Sequence, residues 1–264
     1  MPLSFIVNGF GNIQIMTKRF AVLGSPIQHS KSPLIHNYVF EQSGFDASYE
    51  RFEVSELSQF LDAHGDFSGF SLTMPLKDQA FRISSYTDSF AAMTKSVNTL
   101  VPHEGGWRGY NTDVYGIQQA VGFDPEVVSV IGSGATARSA LAAFPGSTKF
   151  IFARNNAAAS TLAAEFSALV VDLETALKAQ AVVSTVPQGV LTDLVGSREL
   201  PGTLLDCVYT NPEIAAKSYV SGFVMLCHQA IVQQRIFQNT SPDIPLENEA
   251  ALVSGVLTAL SMAK

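Results

Sequence analysis

Residues 127–144, VVSVIGSGATARSALAAF, carry the strongest indication of the fold. An apolar strand-like run meets a glycine-rich turn, and ATARSALAAF then has the composition of a helix. GSGATA fits G-x-G-x-x-G/A: Gly132 permits the tight turn, Gly134 lets a pyrophosphate approach the backbone, and Ala137 lets helix and strand pack closely. Free N–H groups at the helix start attract phosphates. The stretch predicts dinucleotide binding, with a ligand-free tight turn as the alternative. The residues of the predicted loop are Gly132, Ser133, Gly134, Ala135, Thr136 and Ala137.

Apolar runs alternate with helical patterns on both sides of this stretch. KFIF, AVVS and TLLD each follow or precede a helical segment, which predicts a parallel, doubly wound sheet. The first ~110 residues also alternate between strand and helix, with a hairpin predicted around EGG at 104–106. Polar breaks near Asn111 and Gly222 indicate a nested arrangement. We therefore expect a two-domain α/β protein: residues 17–112 with 223–264 form one domain, 113–222 an inserted Rossmann-type domain, and 1–16 an N-terminal extension.

Composition limits the classes of partner. The 264 residues are 47% hydrophobic and 15% charged, which suits full cores and not a disordered chain. The net charge of −7 argues against a general basic face for nucleic acid. No apolar run reaches the ~18 residues of a membrane span, and the N-terminus lacks a signal-peptide pattern, so we expect a cytoplasmic protein. Cys207 and Cys227 could form one disulfide, but two buried thiols are favoured.

The strand after the glycine-rich loop ends in an arginine. An NAD site usually has Asp or Glu about 20 residues after the first glycine, whereas this chain has Arg154. A guanidinium can pair bidentately with a 2′-phosphate, so the sequence favours NADP. A surface arginine that ends the strand is the alternative.

Several polar residues remain ambiguous when each is read alone. Ser30 and Ser32 in HSKSP would point to one side of an extended loop and suit a carboxylate or polyol, but Ser32 could also cap a helix. Lys77 in FSLTMPLK could be a solvated loop lysine, and Asp113 a helix-terminus acid. Asn98 could be a turn residue. His29 and His36 lack metal-ligand spacing, and we expect no metal.

Six short motifs together resemble the shikimate dehydrogenase family. In chain order they are HSKSP, TMPLK, SVNTL, NTDVYG, GSGATAR and GFVMLCHQA. The resemblance implies NADPH-dependent, reversible reduction of 3-dehydroshikimate to shikimate, in aromatic amino-acid biosynthesis, by a monomer or homodimer. It also implies that Lys77 and Asp113 are the catalytic pair, with Lys77 beside the reacting oxygen.

The resemblance assigns two further sets of residues. Those implied to contact the substrate are Ser30, Ser32, Ser71, Thr73, Asn98, Tyr209 and Gln229. Those implied to contact NADP(H) beyond the glycine-rich loop are Arg154, Thr185, Val186, Gly222 and Met225.

Three positions depart from the family pattern. Ser71 stands where the family most often has Asn, and could still donate a hydrogen bond to a hydroxyl over a shorter reach. Asn156 replaces a threonine that often assists Arg154. Gly222 comes only 13 positions after Tyr209, so we expect a helix and a strand there to be shortened.

Three other functions stay open at this point. They are a quinate/shikimate dehydrogenase that uses NAD, a non-catalytic ligand-binding relative, and a methyltransferase on a glycine-rich fold. The presence of both Lys77 and Asp113 argues against a non-catalytic relative. Arg154 and the two-domain layout argue against a methyltransferase.

Overall fold

Two six-stranded sheets and eleven helices make up the part of the chain that the computed structural model describes, residues 5–7, 13–15, 17–209 and 214–263. A separate two-stranded antiparallel sheet joins β1 (Phe5–Val7) and β2 (Ile13–Ile15). The rest of the predicted extension, residues 1–4, 8–12 and 16, lies outside the described residues.

The first large sheet is mixed, in the order β4-β3-β5-β7-β8-β6. Its strands are β3 (Lys18–Gly24), β4 (Ala47–Glu53), β5 (Gly69–Leu72), β6 (Tyr86–Thr87), β7 (Thr99–His103) and β8 (Gly106–Tyr110). The connecting helices are α1 (Ser32–Ser43), α2 (Leu57–Ala63), α3 (Lys77–Ile83) and α4 (Ser89–Thr94). β3 reads as a continuous apolar run because both of its faces are covered. The hairpin predicted around residues 104–106 is confirmed, since β7 and β8 pair antiparallel up to His103 and Gly106.

The second large sheet is entirely parallel, in the order β11-β10-β9-β12-β13-β14. Its strands are β9 (Val127–Ile131), β10 (Thr148–Phe152), β11 (Leu169–Val170), β12 (Ala181–Ser184), β13 (Leu200–Asp206) and β14 (Ala216–Ser221). Its helices are α5 (Asp113–Val121), α6 (Ala135–Ala143), α7 (Asn156–Phe166), α8 (Leu173–Leu177) and α9 (Val190–Val195). This is the strand order of the dinucleotide-binding fold, so the predicted doubly wound sheet is confirmed. The order reverses between β9 and β12, where ligands bind in such sheets.

Two C-terminal helices return to the first sheet. They are α10 (Gly222–Asn239) and α11 (Glu249–Met262), and both pack with α1 in one hydrophobic cluster. α10 also crosses α5 closely: a Cβ on Gly116 would lie 2.8 Å from the carbonyl oxygen of Met225. This glycine therefore lets α10 bring its polar side chains beside the first turn of α5.

Two local expectations are corrected by the structure. β14 has six residues and pairs along β13, so the strand before Gly222 is not shortened. Residues 210–213 of the same segment lie outside the described residues. Ser32 is the first residue of α1 and not its N-cap. The N-cap is Lys31, whose side chain makes no capping hydrogen bond. Instead, the Ser30 hydroxyl accepts a hydrogen bond from the Ser32 N–H at 3.3 Å.

Two further expectations concern the thiols and the membrane. Both cysteines are free thiols; Cys227 is buried as expected, whereas Cys207 is half-buried at a cavity wall. Within the described ranges, no helix combines the length and apolar character needed to cross a membrane.

Candidate active site

A cavity of about 200 Å³ lies between the C-terminal ends of strands from both sheets and α10. Its walls come from distant parts of the chain, from Val22 to Gln233. The residues implied to contact the substrate all line it: Ser30, Ser32, Ser71, Thr73, Asn98, Tyr209 and Gln229. Lys77 and Asp113 also line it, as do Thr136, Gly222 and Met225 from the set implied to contact the cofactor.

Lys77 and Asp113 form an ion pair in this wall. Lys77 Nζ lies 2.5 Å from Asp113 Oδ2, and the side chains are only 14% and 7% exposed. Asp113 is the first residue of α5, where the helix dipole favours a carboxylate. Lys77 is the first residue of α3, where the dipole disfavours an ammonium, so the carboxylate is the group that stabilises it. The pair offers a shielded ammonium that can donate a proton and a carboxylate that holds it.

Asn98 fixes the other oxygen of that carboxylate. Its Nδ2 donates to Asp113 Oδ1 at 2.8 Å and to Gln229 Oε1 at 3.3 Å. The amide cannot be reversed, because Asn98 Oδ1 accepts from the backbone N–H of Thr112 at 3.0 Å. The Gln229 amide is oriented in the same way, since its Nε2 donates to the Leu226 carbonyl at 3.1 Å. This network holds three side chains, from the residue before β7, from α5 and from α10, in one arrangement.

Tyr209 closes the cavity from the side of the second sheet. Its ring stacks on Phe223 of α10, with centroids 4.6 Å apart and planes 20° from parallel. Burial raises the pKa of Tyr209, so its hydroxyl stays protonated. Cys207, the residue directly after β13, lines the same wall, and burial together with the neighbouring Asp206 and Asp113 raises its thiol pKa. A protonated thiol is a poor nucleophile, so Cys207 contributes a wall and not a reactive group.

A second groove of about 390 Å³ runs along the ends of β9, β10 and β12. It is lined by Gly132, Ser133, Gly134, Arg154, Thr185 and Val186. Ala135 and Ala137 do not line it: Ala135 begins α6, and Ala137 is completely buried in the core. The latter matches the packing role expected for the third small residue.

The two glycines of the loop differ in what they permit. Gly132 has φ +125°, and a Cβ there would lie 2.3 Å from Thr185 Oγ1, so only glycine fits the turn. Gly134 caps α6 and has no heavy atom within 4 Å of where a Cβ would stand. That open space in front of a helix N-terminus fits a pyrophosphate. Arg154 is exposed and lines the same groove, and a guanidinium is a group that pairs bidentately with phosphate.

Gln233 is a cavity residue that the sequence reasoning missed. It lines the cavity from α10 and is 2% exposed. The signal was its position four residues after Gln229, which places both on one helix face. A second glutamine one helical turn after Gln229 could have been recognised from the sequence.

Comparison with known proteins gives one family. The family model described as the shikimate dehydrogenase substrate binding domain matches residues 22–100. A shikimate dehydrogenase (NADP(+)) of Acinetobacter baumannii is 31% identical, over 87% of this chain and 98% of that protein. The pentafunctional AROM polypeptide of Candida tropicalis is 39% identical over 48% of this chain, which spans only 9% of that much longer protein.

Two solved structures are similar along nearly the whole chain. Shikimate dehydrogenase of Mycobacterium tuberculosis has a TM-score of 0.79 at 31% identity, covering 92% of this chain and 99% of that one. Shikimate 5-dehydrogenase of Thermus thermophilus, in complex with NADP(H) and shikimate, has a TM-score of 0.78 at 28% identity. The match to the latter covers 94% of this chain and 100% of the Thermus chain.

Proposed function

This chain belongs to the shikimate dehydrogenase family, and we propose that it reduces 3-dehydroshikimate to shikimate reversibly with NADP(H). The observation that carries the proposal is the shielded Lys77–Asp113 ion pair in a polar cavity between the two sheets. Similarity to an NADP(+)-dependent enzyme over 98% of its length supports the cofactor and the reaction. The enzyme acts in aromatic amino-acid biosynthesis, and its ligands are small molecules.

The residues that we propose for catalysis follow from the chemistry of ketone reduction. When bound, the nicotinamide cofactor supplies a hydride to the carbonyl carbon. Negative charge then develops on the carbonyl oxygen, and the Lys77 ammonium can stabilise it and donate a proton from Nζ. In the reverse direction the neutral amine accepts the hydroxyl proton. Asp113 keeps Nζ in position through the 2.5 Å contact and is itself held by Asn98.

Substrate orientation is proposed to come from the remaining polar wall. Ser30 and Ser32 would hold the substrate carboxylate, and Ser30 lies in the loop that leads into α1. Thr73, Asn98 and Gln229 would contact the ring hydroxyls. Tyr209 would contact the ring from the second sheet.

Cofactor binding is proposed along the second groove. The loop 132–137 would hold the pyrophosphate, and Arg154 the 2′-phosphate. Thr185 and Val186 would contact the nicotinamide half, together with Gly222 and Met225, which line the adjoining cavity. The groove and the cavity meet at the start of α6, since Thr136 lines the cavity and Gly134 the groove.

The domain boundaries remain part of the proposal. We assign residues 17–112 and 223–264 to substrate binding and 113–222 to cofactor binding. The packing of α10 and α11 on α1 supports the return of the C-terminus to the first sheet. The cytoplasmic location and a monomer or homodimer also stay predictions.

The deciding experiment is an absorbance assay at the nicotinamide band. Shikimate and quinate are each tested with NADP and with NAD. We expect oxidation of shikimate with NADP to be by far the fastest combination. Faster turnover of quinate with NAD would favour the quinate/shikimate alternative, and no turnover with any pair would refute a dehydrogenase.

A further inference from the structure

A cluster of buried polar side chains supports the cavity beneath Ser71. We call it the floor cluster; its members are Tyr49, Ser71, His36, Gln233 and Gln234, and each is at most 4% exposed. Ser71 and Gln233 line the cavity, whereas the other three lie behind them. Because these groups are out of water, every proton between them has a defined place, which the hydrogen bonds allow us to assign.

The amide of Gln233 has only one orientation. Its Nε2 lies 3.0 Å from the backbone carbonyl oxygen of Asn98 and 2.9 Å from Thr99 Oγ1. A carbonyl oxygen can only accept, so the amide nitrogen must stand there. Thr99 is consistent with this, since it uses its own proton on Asn98 Oδ1 at 2.8 Å. Gln233 Oε1 therefore faces Ser71 and His36 as a pure acceptor.

His36 is fixed in one neutral tautomer by the same logic. Gln234 Nε2 lies 3.3 Å from the His36 carbonyl oxygen, which sets the orientation of that amide, and donates to His36 Nδ1 at 2.8 Å. The ring proton is then on Nε2, which donates to Gln233 Oε1 at 3.2 Å. Complete burial lowers the pKa of His36 to about 3, in keeping with a neutral ring.

The proton of Ser71 follows from these two assignments. Ser71 Oγ lies 3.0 Å from Gln233 Oε1, and two oxygens at that distance need a proton between them. Gln233 Oε1 has none, so Ser71 donates. Tyr49 Oη lies 2.6 Å from Ser71 Oγ, and since the Ser71 proton is already used, Tyr49 is the donor in that contact. What remains on Ser71 toward the cavity is a lone pair.

We propose that Gln233 is a positioning residue that commits Ser71 to accept a hydrogen bond from a hydroxyl of the substrate ring. This proposal differs from the sequence-based expectation, in which Ser71 could still donate to a hydroxyl. A ring substituent facing Ser71 must carry a proton, so a hydroxyl is preferred there over fluorine or a carbonyl oxygen. This inference rests on the proposed function, because it concerns the ring of that substrate.

The test uses shikimate analogues in which one ring hydroxyl each is replaced by a carbonyl oxygen, which accepts a hydrogen bond but cannot donate one. Dissociation constants are measured by calorimetry for the full chain and its variants. For one analogue, wild type should bind roughly 2- to 13-fold more weakly because a neutral hydrogen bond is lost, and this penalty should disappear in Ser71→Ala. The penalties for the other analogues should be the same in both proteins.

Two variants of Gln233 separate positioning from mere stability. Gln233→Glu, protonated in this buried place, keeps an acceptor toward Ser71 and a donor toward Asn98, so the penalty should persist. Gln233→Met releases the Ser71 proton to the cavity, and the same penalty should fall toward onefold. Tyr49→Phe is the matched control, since Ser71 still donates to Gln233 and the penalty should remain.

Each outcome decides a different claim. A penalty that persists in Gln233→Met, or vanishes in Gln233→Glu, would overturn the positioning role. Should the methionine variant fail to fold, the glutamate and Ser71→Ala variants still decide it. If wild type oxidises shikimate normally but no analogue depends on Ser71, the acceptor assignment alone is wrong. If wild type does not oxidise shikimate at all, the proposed function is wrong as well.

Discussion

Replacement of Lys77 by alanine tests the ion pair on which the proposed chemistry depends. General acid–base groups contribute typically ~10²–10⁴ to rate, so kcat should fall by about that factor, or ~3–5 kcal/mol of barrier. The structure favours a larger effect on kcat than on KM. Lys77 pairs with Asp113, whereas other side chains are proposed to hold the substrate. The expected signature is a large loss of kcat with a modest change in KM.

The same substitution should also lower stability, and the structure sets the size. Removing one partner of a buried pair costs about 3–5 kcal/mol. The loss should be near the lower limit, because Asp113 keeps its bond from Asn98 at 2.8 Å and its place at the helix N-terminus. For a chain of this size that corresponds to a fall in Tm of roughly 6–12 °C, measurable by calorimetry.

Steady-state kinetics with shikimate and NADP, with Lys77→Arg as the matched control, completes the test. Arginine keeps the positive charge but does not release a proton, so it should restore stability and substrate binding while kcat stays low. A kcat reduced only a few-fold in Lys77→Ala, together with a large rise in KM, would refute the acid–base role. Lys77 would then serve mainly in binding.

Three other predictions follow from the cofactor groove and the floor cluster. Arg154→Gln should raise KM for NADP roughly 10- to 150-fold, the value of a lost charge-assisted bond, and leave KM for NAD unchanged; an equal effect on both would contradict a 2′-phosphate contact. Gly134→Ala should leave Tm unchanged and weaken NADP binding in calorimetry, because a Cβ there meets open space in the free protein, whereas Gly132→Ala should lower Tm through its clash with Thr185. If Gly134→Ala bound NADP normally, the pyrophosphate would not lie there. Burial lowers the pKa of His36 from 6.5 to about 3. Below pH 6.5 the unfolded chain therefore binds a proton that the folded protein does not, and stability is lost as the pH falls toward 3. The free energy of unfolding should fall by about 2 kcal/mol between pH 6.5 and 5 from this group alone. Urea titrations at several pH values, on wild type and His36→Phe, would measure this fall. If the free energy of unfolding fell equally with pH in both proteins, the prediction would be contradicted.

The sequence predicted those elements most reliably whose conformation depends on neighbouring residues in the chain. The strand–glycine–helix pattern at 127–144 predicted the parallel sheet, because Gly132 at positive φ and the packed Ala137 are requirements of one turn. The hairpin around 104–106 was equally local. The same kind of pattern offered a Ser32 cap as an alternative to ligand binding. That cap does not form, since the Ser30 side chain satisfies the first N–H of α1 instead.

The candidate site depended on a resemblance, because its members come from both halves of the chain. No local pattern places Gln229 and Gln233 beside Asn98, and their contacts arise only because Gly116 lets α10 approach α5. The segment between Tyr209 and Gly222 was expected to have a shortened strand. Instead, pairing along β13 gives β14 six residues, which is a property of the sheet and not of the segment.

By itself, the sequence determined the alternation of strands and helices, the glycine turn and the residue types available for hydride-transfer chemistry. These depend on side-chain periodicity and on backbone angles that only certain residues adopt. The direction of the hydrogen bond from Ser71 to Gln233, in contrast, follows from contacts between distant parts of the chain. A hydroxyl can donate or accept, and the choice is made by Gln233, whose amide is fixed by a backbone carbonyl far away in the chain.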